Sequence, residues 1–402
     1  MRPSPFADVP DAPPDPILGL TEAFAADVNP RKVNLGVGVY QDASGRVPLL
    51  DCVRQASERW LLAEPTKAYL PIDGLPAYNA AAQDLLLGAG SPARRSGRAV
   101  TVETLGGTGA LRVGAELLRR FLPSAVAYIS SPTWENHRGV LEAAGLRVET
   151  YPYYDAATRA LSFPAMLRAL GAMPAGAVVV LHACCHNPTG VDPTPEQWEA
   201  IVAACREGGL VPFVDLAYQG FAEGLEGDAL AVRLLAEAGA PFLVASSFSK
   251  SLSLYRERVG ALTVVAASED EARRLRTQLK RIIRASYSNP PSWGGQVAAL
   301  VLGDSGLRAR WEEELAAMRT RIRAMRVAFA AALRERATRR DFSFVERQRG
   351  MFSFLGIPLE EVRRLRAEYG LYVVDSGRIC VAAINEGNLG YICDAIARVE
   401  RG

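Results

Sequence analysis

The stretch Phe242-Leu243-Val244-Ala245-Ser246-Ser247-Phe248-Ser249-Lys250-Ser251-Leu252-Ser253-Leu254-Tyr255-Arg256-Glu257-Arg258-Val259-Gly260 begins as a short apolar run of strand character. It passes at once into hydroxyl residues, a lysine and two arginines, and Gly260 to Val265 is apolar again. Similar runs recur at Ala125 to Ser130, Val178 to His182 and Leu210 to Val214, with helix-like segments between them. Apolar runs that do not alternate with polar residues suit strands covered on both faces. Their separation by helices predicts an α/β fold built on a mostly parallel sheet. In such sheets ligands bind beyond the carboxyl ends of the strands. Trp134, Asn187, Asp215 and Lys250 all follow strand ends, so they can converge although more than a hundred residues separate the first from the last.

Lysine is scarce: of 46 lysines and arginines only Lys32, Lys67, Lys250 and Lys280 are lysines. An amine with cationic neighbours in a partly desolvated setting loses its proton easily, as a Schiff-base lysine must. Ser247 and Ser249 offer hydroxyls, and Arg258 a rigid fork suited to phosphate. On its own the stretch reads either as a pyridoxal phosphate site or as a solvated loop lysine in a basic segment.

At 402 residues the chain exceeds one ordinary core, which predicts two domains or one large domain with a smaller one. A net charge of +2 without long runs of like charge suggests neither nucleic acid nor an anionic membrane as partner. No apolar stretch approaches the ~20 residues that span a bilayer. The N-terminus has no signal-peptide core, so a cytoplasmic protein is expected. The six cysteines show no framework spacing and are expected to be reduced. His182, Cys184, Cys185 and His186 invite a zinc reading, but the second half of a tetrahedral pattern is missing, and no metal is expected.

Residues 1 to 14 are proline-rich and read as an extended arm, followed by an amphipathic helix from Asp15 to about Asp27. Val33 to Tyr40 reads as a glycine-interrupted strand. Leu105-Gly106-Gly107-Thr108-Gly109 opens a helix with apolar residues at helical spacing. Its free amides, glycines and hydroxyl make a phosphate cradle or a plain tight turn. Thr194, Pro195 and Gln197 form a capping box closed by Gly208-Gly209. A helix from Glu269 leads to Arg284 and Asn289, and a very long one is expected from Ser305 to Arg336. The last part, from Phe342, reads as a smaller α+β unit.

Three motifs in sequence order are specific: Cys184-Cys185-His186-Asn187-Pro188-Thr189-Gly190, Asp215-Leu216-Ala217-Tyr218-Gln219-Gly220 and the Lys250 stretch. With them the chain resembles the class I pyridoxal phosphate-dependent aminotransferases, in the branch holding the aspartate and bacterial aromatic-amino-acid (tyrosine) enzymes. The likeness runs from Asn34-Leu35-Gly36 to Ser376-Gly377-Arg378. It implies fold type I of the pyridoxal phosphate-dependent transferases. The arm and part of the small domain would occupy 1–45, a large cofactor-binding domain 46–317 and a small C-terminal domain 318–402.

The resemblance also implies roles. Lys250 would hold the cofactor and move the substrate proton, and Asp215 would keep the pyridine nitrogen protonated. Asn187 and Tyr218 would bond the ring oxygen and Trp134 would stack on the ring. Gly107, Thr108, Ser247, Ser249 and Arg258 would bind phosphate, joined by Tyr69 from the partner of a homodimer with shared active sites. Arg378, assisted by Asn187 and the Gly36 backbone, would clamp the substrate α-carboxylate. Arg284 would meet a side-chain carboxylate across the dimer interface, with Phe352 and Asn289 in the same region. His137 and His182 would support the cofactor's partners from behind.

Asp375 and Ala383 depart from the family pattern near Arg378. The implied reaction moves the amino group of an aromatic amino acid, of aspartate or of both to 2-oxoglutarate. Leu105-Gly106-Gly107, Pro132 to His137 and Ser253-Leu254-Tyr255 lean to the aromatic members. A β-lyase or decarboxylase is disfavoured by the two arginines. A non-catalytic regulatory module is disfavoured by the completeness of the site, and a nicotinamide dehydrogenase by the missing glycine fingerprint.

Overall fold

The computed structural model describes residues 4–12, 17–63 and 66–401. Seven strands make the central sheet: β1 (Ala99–Leu105), β2 (Val126–Ser131), β3 (Arg147–Pro152), β4 (Val178–His182), β5 (Val211–Leu216), β6 (Phe242–Ser247) and β7 (Val259–Val265). They lie in the order β1-β7-β6-β5-β4-β2-β3. Only β7 is reversed, pairing antiparallel with both β1 and β6, while the remaining neighbours pair parallel. β4, β6 and β7 are buried at every residue, as their unbroken apolar runs require.

One sheet face packs Val100, Val180, Phe213 and Leu262 against helices carrying Leu111, Leu118, Ile282 and Ile283. The other packs Val214 and Phe242 with Tyr78, Trp198 and Val297. The helix that follows β1, Gly106–Phe121, presents Gly114 to the sheet. A Cβ there would stand 2.5 Å from the Phe213 ring, so glycine permits the close approach.

Two strands escape the apolar-run criterion, β1 and β3. In β1 the polar Thr101 and Glu103 are buried, with Thr101 Oγ1 bonded to Thr263 Oγ1 at 2.8 Å, so alternation there does not mark a solvent face. The expected strand over Val33 to Tyr40 is corrected. Only Val33–Asn34 pairs, with Leu371–Tyr372, and the residues after it are irregular backbone that passes the functional site. The early helix is Leu18–Ala26; its expected start at Asp15 lies outside the described residues.

The capping box forms, with Gln197 N donating to Thr194 Oγ1 at 3.3 Å and Thr194 N to Gln197 Oε1 at 2.9 Å. The long helix spans Ser305–Glu335 and buries Trp311, Leu315, Met318, Ile322 and Phe329 along one stripe. Trp311 Nε1 donates to Ser251 O at 2.6 Å, tying this helix to the Lys250 loop. Near the C-terminus Phe352–Phe354 pairs antiparallel with Arg378–Cys380. No helix among the described residues is long and apolar enough to cross a membrane.

Candidate active site

Lys250 sits in the connection between β6 and β7, at the same sheet edge where β4 and β5 end. Asp215 is the penultimate residue of β5, held in register between His182 and Ala245. A cavity of about 570 Å³ opens at this edge. Its walls include Gly107, Thr108, Trp134, Asn187, Asp215, Tyr218, Ser247, Ser249, Lys250, Arg258, Phe352 and Arg378. Residues distant in sequence thus meet because parallel strands present all their carboxyl ends on one side.

Asp215 is buried, and its Oδ2 lies 3.0 Å from His137 Nε2, whose Nδ1 is 2.8 Å from Thr133 Oγ1. Burial works to raise the Asp215 carboxyl. The His137 hydrogen bond and charge, helped by His182 and Lys250, outweigh it and hold the carboxyl below its ordinary range. His182 lines the cavity with a buried Nε2 that has no partner, and burial with its two histidine neighbours keeps it neutral. The zinc-like set around Cys184 does not converge. Among the described residues the one grouping of three metal-ligating side chains is His137, His182 and Asp215.

Lys250 is half-buried, its Nζ 4.8 Å from the centre of the Tyr218 ring. Burial lowers the amine to about 8 against an opposing pull from Asp215, and Arg258 and Arg378 lower it further. At pH 7 about a tenth of such an amine is free base, against well under a thousandth for an ordinary lysine near 10.4. The rate at which apo-protein captures an aldehyde should therefore rise with pH and level off just above 8. A rate still climbing tenfold per unit at pH 9.5 would contradict the lowered proton affinity.

At one end of the cavity the helix Gly106–Phe121 points its N-terminus inward beside Ser247, Ser249 and Arg258. Arg258 Nη1 donates to Ser249 Oγ at 3.3 Å and to Tyr255 O at 2.8 Å. Gly106 has φ +67°, and a Cβ on it would come 2.6 Å from Arg258 Nη2; one on Gly107 would come 3.2 Å from Ser247 Cβ. Free amides, hydroxyls and a guanidinium in a space cleared of side chains suit a phosphate.

Across the cavity Arg378 is 1% exposed, donating from Nη1 to Asn187 Oδ1 at 3.0 Å and from Nη2 to Gly36 O at 2.6 Å. Its Nε is without a partner, and Glu135 Oε2 is 3.9 Å from Nη1. The expected set is therefore brought together in this chain with three exceptions, one of them Asn289, which does not line the cavity. Tyr69 is 92% exposed and Arg284 is exposed beyond the cavity, its guanidinium bonded to Ser288 Oγ. Asp375 pairs with Arg366 at 2.6 Å on the surface, and neither it nor Ala383 lines the cavity. Glu135 and Tyr255 also line the cavity and were not anticipated as site residues; Tyr255 Oη accepts from Tyr40 N at 2.8 Å. Their nearness to Trp134 and Arg258 in sequence was the available signal.

A parallel-sheet domain with an anion cradle, a lysine of low proton affinity and a buried carboxylate defines the site of a group-transfer enzyme that works through a phosphorylated cofactor. Residues 30–396 match the family model described as aminotransferase class I and II. An aspartate aminotransferase of Pseudomonas aeruginosa is 52% identical over 98% of this chain and 99% of the relative. The aromatic-amino-acid aminotransferase of Escherichia coli is 46% identical over 96% of this chain and 97% of its own. The crystal structure of an aromatic-amino-acid aminotransferase from Burkholderia pseudomallei, covalently bound to pyridoxal phosphate, superposes with a TM-score of 0.96 at 54% identity. That likeness covers 99% of this chain and 100% of the other. The chain belongs to the class I and II aminotransferase family.

Proposed function

We propose that this chain is a pyridoxal phosphate-dependent aminotransferase acting on aspartate, aromatic amino acids or both, with 2-oxoglutarate as acceptor. It works as a cytoplasmic homodimer with shared sites. The observation that carries the reading is the placement of Lys250 and Asp215 at one sheet edge, between the phosphate cradle and buried Arg378. The cofactor supplies an aldehyde for the substrate amine and an electron sink for breaking the Cα–H bond. Arg258, Ser247, Ser249, Thr108 and the Gly107 amide would hold its phosphate. Asp215, kept ionised, would hold a proton on the cofactor's ring nitrogen, Asn187 and Tyr218 would bind its ring oxygen, and Trp134 would pack against the ring.

Arg378 receives the α-carboxylate in a two-pronged bond, with Asn187 and Gly36 fixing the fork. Lys250 Nζ, at the cavity wall, would serve as the general base that accepts the substrate α-proton. Its lowered proton affinity keeps a usable share of free base near neutrality. Residues 46–317 form the large domain. Residues 1–45 supply the N-terminal arm and part of the small domain, residues 318–402 the rest of it, and the division falls inside the helix Ser305–Glu335.

Tyr69 and Arg284 take part only in a dimer, reaching the partner's phosphate and the side-chain carboxylate of its substrate. Support comes from their exposure and from exposed apolar side chains on the stretch before Tyr69, Leu49, Leu61 and Leu62. Arg284→Ala should cost about a hundredfold in kcat/KM for aspartate and less than about tenfold for phenylalanine, the loss of one charge-assisted fork. Mixing it with inactive Lys250→Ala should then recover aspartate activity. A hybrid dimer contains one intact site, so about a quarter of the wild-type sites return after full exchange. Equal losses on both substrates would overturn the role of Arg284, and no recovery on mixing would overturn the shared site.

A further inference from the structure

Arg326, on the helix Ser305–Glu335, is 1% exposed. A guanidinium so deeply buried ordinarily faces a carboxylate, yet among the described residues none lies within ion-pair distance of it. Its two terminal nitrogens are satisfied by one short loop, while its Nε has no partner. Nη1 donates to Val345 O at 3.1 Å and Ser353 Oγ at 2.7 Å. Nη2 donates to Arg349 O at 3.2 Å, Gly350 O at 2.7 Å and Phe352 O at 2.5 Å. Ser353 Oγ passes its own hydrogen to Gln348 Oε1 at 2.6 Å. Residues 345–353 are thus wound around a single cation.

The loop reaches the active site through Phe352. The Arg378 guanidinium lies 4.4 Å over the Phe352 ring, and the Tyr218 ring meets it edge-on at 5.9 Å. On a third side a Cβ on Gly38 would come 2.7 Å from it. The strand register places Phe354 opposite Arg378 and Phe352 opposite Cys380. The same loop abuts the segment carrying Asn187. Arg349 N donates to Gly190 O at 2.6 Å, and Gly190, at φ +66°, leaves room where a Cβ would stand 2.7 Å from Phe352 O. Asn187 and Phe352 both meet the Arg378 guanidinium; Phe352 belongs to this loop, and Asn187 lies three residues before the Gly190 that the loop bonds.

We infer that Arg326 is a positioning residue for substrate binding: by gathering residues 345–353 it holds Phe352, and through it Arg378, in the geometry that receives a carboxylate. This rests on the reading of Arg378 as the carboxylate-binding arginine. Arg326 does not line the cavity, so its effect is transmitted through Phe352. Lysine cannot replace it, because an ammonium has three donors and no planar fork with which to span five acceptors. Losing the fork strands buried carbonyls, which is costly enough to shift a loop.

The test uses the holoenzyme. Arg326→Lys should keep the absorption of the bound cofactor and hold kcat within about threefold. It should raise KM for amino donor and oxo-acid about tenfold, and weaken the calorimetric Kd of a non-reacting dicarboxylate by the same factor. Combined with Phe352→Leu it should be no worse than the poorer single variant, because the two act through one contact. Should Arg326→Lys fail to fold, Ser353→Ala keeps the cation and removes one acceptor, and should raise KM about threefold. Unchanged KM and Kd in Arg326→Lys, additive losses with Phe352→Leu, or an unaffected Ser353→Ala would each overturn the inference. Arg378→Lys separates the two readings. If it leaves KM unchanged, the carboxylate role of Arg378 fails; if it raises KM while Arg326→Lys does not, only the role of Arg326 fails.

Discussion

Lys250→Ala is expected to lower transamination by on the order of 10⁴-fold or more, the upper range for removing a positioned acid–base group that also captures the cofactor. The fold should survive. The side chain is half-buried at a cavity wall, and its contact is with the Tyr218 ring rather than with a packed core. The loop is held by other means: Trp311 Nε1 bonds Ser251 O, Ser253 Oγ bonds Pro48 O at 2.8 Å and Ser249 N bonds Ser247 Oγ at 3.2 Å. Turnover assayed alongside circular dichroism and thermal unfolding checks both halves. Activity within a hundredfold of wild type would remove Lys250 from the chemistry.

The second large effect is at Asp215. Its carboxylate is buried, ionised and 3.0 Å from His137 Nε2, a preorganised charge at the cavity wall. Asp215→Ala should lower kcat by on the order of 10³-fold, in line with losing one preorganised electrostatic partner. It should also move the pH dependence of cofactor capture. Asp215 acts to raise the Lys250 amine, so without it the amine falls below about 8 and the plateau shifts to lower pH. Asp215→Glu, which keeps the charge, should recover part of kcat and leave the plateau near its original position. Loss of kcat with a plateau unmoved in Asp215→Ala would contradict the electrostatic role.

How far the sequence can be read follows from where polar groups sit. β4 to β7 were legible because strands covered on both faces are mostly apolar, and their ends located Asn187, Asp215 and Lys250. β1 was not, since Thr101 and Glu103 satisfy or conceal their polarity inside the sheet and mimic a half-exposed strand. The run after Asn34 looked like a strand from its valines, but its Gly36 carbonyl is used by Arg378 instead of a ladder. Arg378 and Arg258 were picked out by motif. Arg326 carries no motif, and nothing in the local sequence separates a buried cation from the many surface arginines of this chain. Its role lies in five acceptors that only tertiary packing assembles. Tyr69 and Arg284 mark the opposite case: the resemblance points to them, yet in this chain both stand exposed and outside the cavity.

The most direct test is the visible absorption of the purified protein reconstituted with pyridoxal phosphate, recorded before and after adding aspartate, and separately phenylalanine or tyrosine. The account predicts a coloured holoenzyme whose visible band is lost with at least one of these donors and restored by 2-oxoglutarate, with the donor effective at lower concentration defining the preferred substrate. A protein that stays colourless with the cofactor, or a band that no amino donor changes, would contradict the assignment of Lys250 and with it the proposed transamination.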